Sequence, residues 1–488
     1  MRVGRRLLRL VVLLGVFAVT PAAALAVGWG TAVNVTGIPK GDANVSVVPV
    51  SVSCASAGNC AVGGYWAEFD PSGDPEGNGA FVADERVVGG VPHWGAATLI
   101  NGVSVSSVSC ASAGNCAAGG YYTDSSGRDQ AFVMDEVNGS WKPRIQVAGT
   151  ASFGSAASFN GGADVTSVSC PSVGHCTAGG FYTDSGHVRH AFVVDQTTAV
   201  VPPSWGWGSA YKLLGAPKGT VSAVSCASAG NCAAVGHHTD ISGTDQTFVA
   251  DEVNGSWKTA IHLSGTASSS GGADVTSVSC PSVGYCAAGG YYHDSSAGHH
   301  IRAFVVNQTT AVVSPTWGWG PADTVLGATA GSVSSISCPS ANTCVAGGSF
   351  YPVSGTHAFV VSSHPVSGVP TWGVMHELAA SLNVSPSHDA YVTSVSCAAA
   401  NQCVAGGTYY DAGAIFHPFL AKLNGTPVWS SAGLVPGIAL LNPGNGWYLS
   451  NSLGEGEVGA VSCPSTSVST VNCAVAGDYP GGAFVTKP

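Results

Sequence analysis

Valine and serine alternate in short runs along this chain, and each run stops at a cysteine. Val105–Cys110 and Val165–Cys170 are two examples. Period-2 alternation predicts a strand with one face buried. Three further short segments follow each run. One begins at a second cysteine and continues through Ala-Ala-Gly-Gly-Tyr-Tyr, as in Cys116–Tyr122. The next is an Ala-Phe-Val-Val stretch, as in Ala131–Val137, and the last starts at a tryptophan, as in Trp141–Val147. All are brief, β-branched or aromatic, and bounded by Gly, Ser, Asn and Asp, which predicts four antiparallel strands joined by hairpins. Asn138-Gly139, Asn254-Gly255 and Asn424-Gly425 stand between the third and fourth segments, where a type I′ turn needs two residues with positive φ. Where Asn-Gly is missing, a proline turn at Pro92, Pro202, Pro315 or Pro370 is expected to serve.

The four-segment unit recurs eight times. Its cysteine pairs are Cys54/Cys60, Cys110/Cys116, Cys170/Cys176, Cys226/Cys232, Cys280/Cys286, Cys338/Cys344, Cys397/Cys403 and Cys463/Cys473, and one disulfide is expected in each unit. Each pair brackets the first hairpin, and closing so short a loop should stabilise a unit by about 2 kcal/mol. A unit of this size with four strands predicts a β-propeller blade. Trp29-Gly30-Thr31-Ala32 matches the start of a fourth segment, while the chain ends on Ala483-Phe484-Val485, a third segment. The N-terminal strand is therefore expected to complete the last blade, giving an all-β, single eight-bladed propeller over residues 27–488. Glycine and phenylalanine each hold one position in every copy and are read as scaffold, for close approach and for inter-blade filling. Near-identical stretches at Ala163–Gly174 and Ala273–Gly284 point to a duplicated two-blade unit.

The Ser-Val-Ser-Cys…Asn-Cys-Ala-Ala-Gly-Gly…Ala-Phe-Val…Asn-Gly-Ser-Trp pattern resembles the cysteine-paired repeats of uncharacterised secreted proteins from high-GC Gram-positive bacteria. More distantly it is similar to sialidase-like and photosystem-assembly-type propeller repeats. The resemblance covers the whole chain after residue 26 and implies the propeller fold; it implies no activity, since propellers host many functions. The sialidase Ser-x-Asp-x-Gly-x-Thr-Trp box is absent from the sequence.

Composition adds a compartment. Residues 1–26 read as a secretory signal peptide, with Arg2, Arg5, Arg6 and Arg9, an apolar run from Leu10 to Val19 and the small-residue site Ala24-Leu25-Ala26. No second long apolar stretch follows, so no membrane span is expected after cleavage. Sixteen paired cysteines fit an oxidising extracellular or cell-wall location. Beyond the leader, 12 basic residues face 27 acidic ones, a net charge of −15 that repels nucleic acid and anionic lipid. No nucleotide loop, nucleophile elbow or zinc helix is present, and no cofactor is expected.

Function is expected where the copies differ, on the face that carries the second-to-third and fourth-to-first connections. Blade one has an enlarged acidic loop with Phe69 and Asp70, and Asn442–Gly459 enters blade eight with Trp447, Tyr448, Asn451, Glu455 and Glu457. Ring closure places these segments side by side. Aromatic faces beside carboxylates and amides suit a sugar. The expectation is a monomeric, non-catalytic binding or scaffold module for a glycan, a cell-wall component or an extracellular protein. One rival is a glycan hydrolase or lyase using seam carboxylates. Another is a metal-dependent adhesin using either the histidine loops of blades three to five (His187, His190, His237, His238, His293, His299, His300) or the recurrent aspartate loops. The recurrent Asp124, Asp184, Asp240, Asp294 and Asp411, with Glu68, are read as turn formers.

Overall fold

A computed structural model describes residues 30–38, 45–70, 75–151, 162–196, 206–268, 271–295, 300–308, 318–328, 330–352, 355–379, 389–411, 415–424, 427–441, 456–464, 472–479 and 482–487. They form eight antiparallel sheets arranged as the blades of one propeller. Blade two shows the plan: Val103–Ser112, Asn115–Thr123 and Asp129–Val137 pair in order. The outer strand comes in two pieces, Ser140–Trp141 and Ile145–Gln146, with the tryptophan at the break. In blade eight the fourth strand is Val33–Asn34, paired with Gly482–Thr486 through Val33↔Val485 and Asn34↔Phe484. The amide of Gly30 also donates to the carbonyl of Lys487. The ring thus closes as the two chain ends foretold. No described helix is long and apolar enough to cross a membrane.

Packing follows from the repeat. Phe81, Phe132, Phe192, Phe248, Phe304, Phe359, Phe419 and Phe484 are all fully buried between blades. A Cβ on Gly120 would lie 1.9 Å from the Ser104 carbonyl of its own blade. On Gly119 it would lie 2.3 Å from Val165 of the next blade. Glycine is needed at both places for close approach, not for a turn.

The cysteines pair as the spacing predicts, one disulfide to a blade. The bonds are Cys54–Cys60, Cys110–Cys116, Cys170–Cys176, Cys226–Cys232, Cys280–Cys286, Cys338–Cys344, Cys397–Cys403 and Cys463–Cys473. No described cysteine is free. The second member of every pair is buried: Cys60, Cys116, Cys176, Cys232, Cys286, Cys344, Cys403 and Cys473 all lie within the hydrophobic packing of the blades. These sulfurs are therefore scaffold, with no thiol left for chemistry. An oxidising compartment fits the full set of bonds.

The serine before each first cysteine links blades. Its Oγ accepts the amide of the corresponding cysteine in the next blade: Ser53 from Cys110, Ser109 from Cys170, Ser169 from Cys226, Ser225 from Cys280, Ser279 from Cys338, Ser337 from Cys397 and Ser396 from Cys463. Ser462 of blade eight accepts from Cys54 of blade one and completes a circular belt, with every bond 2.9–3.0 Å long. Each such bond is worth about 1 kcal/mol net. In the outer strands, indole Nε1 groups reach back to an aspartate of the preceding blade: Trp141 to Asp84, Trp207 to Asp135, Trp257 to Asp195 and Trp319 to Asp251.

The Asn-Gly turns behave as expected, with φ of 50° and 80° at Asn138 and Gly139 and 50° and 75° at Asn254 and Gly255. Two proline turns do not. In blades one and six the turn is Gly89-Gly90 or Ser367-Gly368, all at positive φ, while Pro92 and Pro370 lie inside the returning strands Val91–Trp94 and Val369–Trp372. A proline fixes φ near −65° and cannot supply the positive φ of a two-residue hairpin. Pro202 and Pro315 lie outside the described residues, as do the leader and Gly425.

Candidate functional site

The first strand enters the ring from the face bearing the second-to-third loops, and the second strand returns to it. Each blade presents one register pair at this mouth of the central channel. The pairs are Val48↔Tyr65, Ser104↔Tyr121, Asp164↔Phe181, Thr220↔His237, Asp274↔Tyr291, Ser332↔Ser349, Tyr391↔Thr408 and Glu457↔Asp478. The disulfides close the other end of the same hairpins and take no part in the mouth. The glycine preceding the second member is common to all eight blades, whereas the pair itself changes from blade to blade. Every first strand also carries a bulge just inside the mouth, between Val105 and Ser107 in blade two. The bulged residue is freed from the ladder and reaches its neighbour. Thr166, for example, donates to the Val221 carbonyl of blade four at 2.6 Å.

Glu457 is the centre of the seam. Its Oε1 accepts from the Tyr391 hydroxyl of blade seven at 3.2 Å, and its amide donates to Asp478 Oδ1 at 3.1 Å. Burial, reinforced by the charge of Glu457, pushes Asp478 up to about 7. Burial and then Glu457 also raise the phenols of Tyr391 and Tyr410 of blade seven. Tyr65 of blade one is raised by burial, then by Asp478 and Glu457. Blades seven, eight and one thus share one acidic, phenol-lined corner. A second corner spans blades three to five. There Ser222 donates to Asp274 at 3.0 Å, and His237 Nδ1 stands 3.3 Å from the same carboxylate. Burial works against protonating His237, but the hydrogen bond and charge of Asp274 prevail and raise its pKa. Arg189 lies 4.1 Å over the Phe181 ring and reaches Thr220 Oγ1 at 3.4 Å; burial lowers its pKa. The hydroxyl, carboxylate and imidazole stand in that order, so His237 is not the base of Ser222.

Of the residues expected at the seam, Glu457 opens the first strand of blade eight at the mouth. Phe69 ends the second strand of blade one, farther out from Tyr65, and Asp70 follows it. That inner hairpin is longer than its counterparts, and buried Trp66 packs with Val35 and Ile38 of the closing segment. Trp447, Tyr448, Asn451 and Glu455 lie outside the described residues, as does His299.

The recurrent aspartates make turns. Asp124 Oδ1 accepts the amides of Ser126 and Arg128, and Asp184 Oδ1 accepts those of Gly186 and Val188. His190 and His417 bond to the aspartates of their own turns, Asp184 and Asp411, at 2.7 and 3.0 Å. Among the described residues no three His, Cys, Asp or Glu side chains converge as a metal site.

Sequence reading missed Tyr65, Asp164, Asp274, Tyr391 and Asp478. Their signal was two variable columns, one beside a valine kept in seven blades (Pro49 in blade one) and one beside a glycine kept in all eight, not the loops.

No protein-family model matches the chain, and no curated protein sequence matches it. Solved structures do. Sqt1 from Saccharomyces cerevisiae is similar with a TM-score of 0.50 at 12% identity, over 94% of this chain and 98% of that one. Sqt1 from Chaetomium thermophilum bound to the N-terminus of the ribosomal protein L10 gives 0.49 at 13% identity, over 93% and 99%. At such identities the likeness concerns the fold alone.

Proposed function

We propose that this chain is a secreted, non-catalytic binding propeller whose recognition surface is the channel mouth at the seam of blades seven, eight and one. The carrying observation is the convergence of Glu457, Asp478, Tyr391 and Tyr65 where the register pairs vary between otherwise matched blades. Carboxylates and phenols at a concave opening bind ligands rich in hydroxyl or amino groups, which favours a glycan or cell-wall component. The leader-like residues 1–26 and the fully oxidised cysteines support export. The strand end at Phe69 and Asp70 would flank this mouth. A glycan array and a cell-wall pull-down test the reading, with Glu457→Gln and Tyr391→Phe beside the native protein. Retention of native protein and roughly tenfold weaker retention of both variants, without product release, is the expected result. Product release abolished by Glu457→Gln would make the protein a hydrolase or lyase, and equal retention of all three would remove the mouth from the site.

A further inference from the structure

At most blade junctions the outer strands are stitched by one backbone bond. The amide three residues after the blade's tryptophan donates to a carbonyl of the preceding blade. Ala97 donates to Thr36, Ala210 to Ala148, Ala260 to Leu214, Ala322 to Ser264, Met375 to Leu326 and Ala32 to Pro436, at 2.7–3.0 Å. Among the described residues two junctions lack this stitch, blades one to two and blades six to seven. Openings lie at both. The smaller, of about 250 Å³, is lined by Val360, His376, Leu423 and Trp429. The larger, of about 500 Å³, separates Thr98 and Ile100 of blade one from Trp141, Arg144 and Gln146 of blade two. The cause is local. Blade one turns at once through Asn101-Gly102 into the next first strand, with Gly102 at φ 65° and its amide bonded back to Asn78. Its outer strand ends there and cannot reach Arg144.

The groove departs from the repeat in charge as well as shape. At the stitch position six blades carry alanine (Ala32, Ala97, Ala210, Ala260, Ala322, Ala432), one carries Met375, and blade two carries Arg144. Blade four, the near-copy of blade two, reads Trp257-Lys258-Thr259-Ala260-Ile261-His262 where blade two reads Trp141-Lys142-Pro143-Arg144-Ile145-Gln146. The exposed guanidinium of Arg144 lies 4.6 Å from the centroid of the Tyr122 ring. Tyr122 donates to Gln146 at 3.3 Å, Gln146 to Gln130 at 3.0 Å, and Gln130 to Asp124 at 3.0 Å. This chain of bonds ties the wall to a rigid turn. Lys142 adds a second cation to the lining, in a chain with few of them.

We infer that the groove between blades one and two is a separate binding site for a carboxylated saccharide. Arg144 would take the carboxylate in a bidentate, charge-assisted pair, the Trp141 ring would offer a flat apolar surface, and Thr98 and Gln146 would meet hydroxyls. The volume suits one or two sugar rings. Aromatic surface together with amide and hydroxyl groups favours a sugar acid over an acidic peptide.

Titration calorimetry of the whole protein with a galacturonic acid disaccharide tests this, with the neutral galactose disaccharide and a diglutamate peptide as the other arms. Arg144→Ala restores the residue found at this position in six blades, so the ring should fold unchanged. The expected result is binding of the acidic disaccharide alone, weakened at least about tenfold by Arg144→Ala and less by Arg144→Lys. Glu457→Gln should leave it unchanged, which separates this site from the mouth. Equal binding of the neutral disaccharide, preference for the peptide, an unaffected Arg144→Ala variant or no binding at all would each overturn the proposal.

Discussion

Asp135 carries the sharpest stability prediction. It is buried at 3% exposure, with its carboxylate receiving Trp207 Nε1 at 3.0 Å and Gln196 Nε2 at 3.0 Å from the next blade. Burial outweighs those hydrogen bonds and pushes the group from 3.8 up to about 7. The folded chain then keeps a proton that the unfolded chain releases near pH 4. Stability from this group is complete below about pH 4, falls as pH rises, and levels off above about 7. Between pH 5 and pH 8 the loss is about 2–3 kcal/mol, at 1.36 kcal/mol per unit of separation. Asp135→Asn removes the titration and keeps an acceptor for the indole. Urea unfolding of native and variant protein at pH 5 and pH 8 should show the native protein losing about 2–3 kcal/mol more than the variant over that interval. Asp251 repeats the arrangement with Trp319 and Gln308 and is also raised to about 7. The double variant should therefore lose the pH dependence of both groups. A pH slope that is the same in native protein and Asp135→Asn would refute the assignment.

Other substitutions probe the scaffold and the mouth. Gly120→Ala puts a Cβ 1.9 Å from the Ser104 carbonyl, and should cost about 3 kcal/mol or more in denaturant unfolding. Ser53→Ala leaves the Cys110 amide without its belt acceptor, and a loss of about 1–3 kcal/mol is expected by the same measurement. Burial holds Tyr391 and Tyr410 above their ordinary range and the charge of Glu457 adds to it, so Glu457→Gln should lower both pKa values part of the way in an ultraviolet phenolate titration.

Much of the architecture was legible because it repeats. Eight cysteine pairs, eight phenylalanines and a tryptophan-led segment displaced to the N-terminus specify blade number and closure without knowledge of any contact. What could not be read depends on partners one blade away. Nothing local to Ser53 or Ser462 says that their hydroxyls serve Cys110 and Cys54, and nothing near Arg144 says that Asn101 fails to reach it. The mouth escaped for another reason. Glu457 was singled out as part of a loop, yet it is a strand residue, and its neighbours Tyr391 and Asp478 are fixed by register and by a bulge that displaces the first strand by one residue. Pro92 and Pro370 misled because proline accompanies turns, while the dihedral demand fell on Gly89-Gly90 and Ser367-Gly368.

The serine belt has no first or last member: Ser462 serves Cys54 just as Ser53 serves Cys110. The chain ends meet in the same blade, where Thr486 Oγ1 donates to the Gly30 carbonyl at 2.7 Å. The position of the break between residues 30 and 487 is therefore not dictated by the packing of the ring. A short linker joining 30 to 487, with new termini cut at Asn138-Gly139 or Asn254-Gly255, would give a circular permutant with the same belt, and only the blade closed by non-covalent pairing would change.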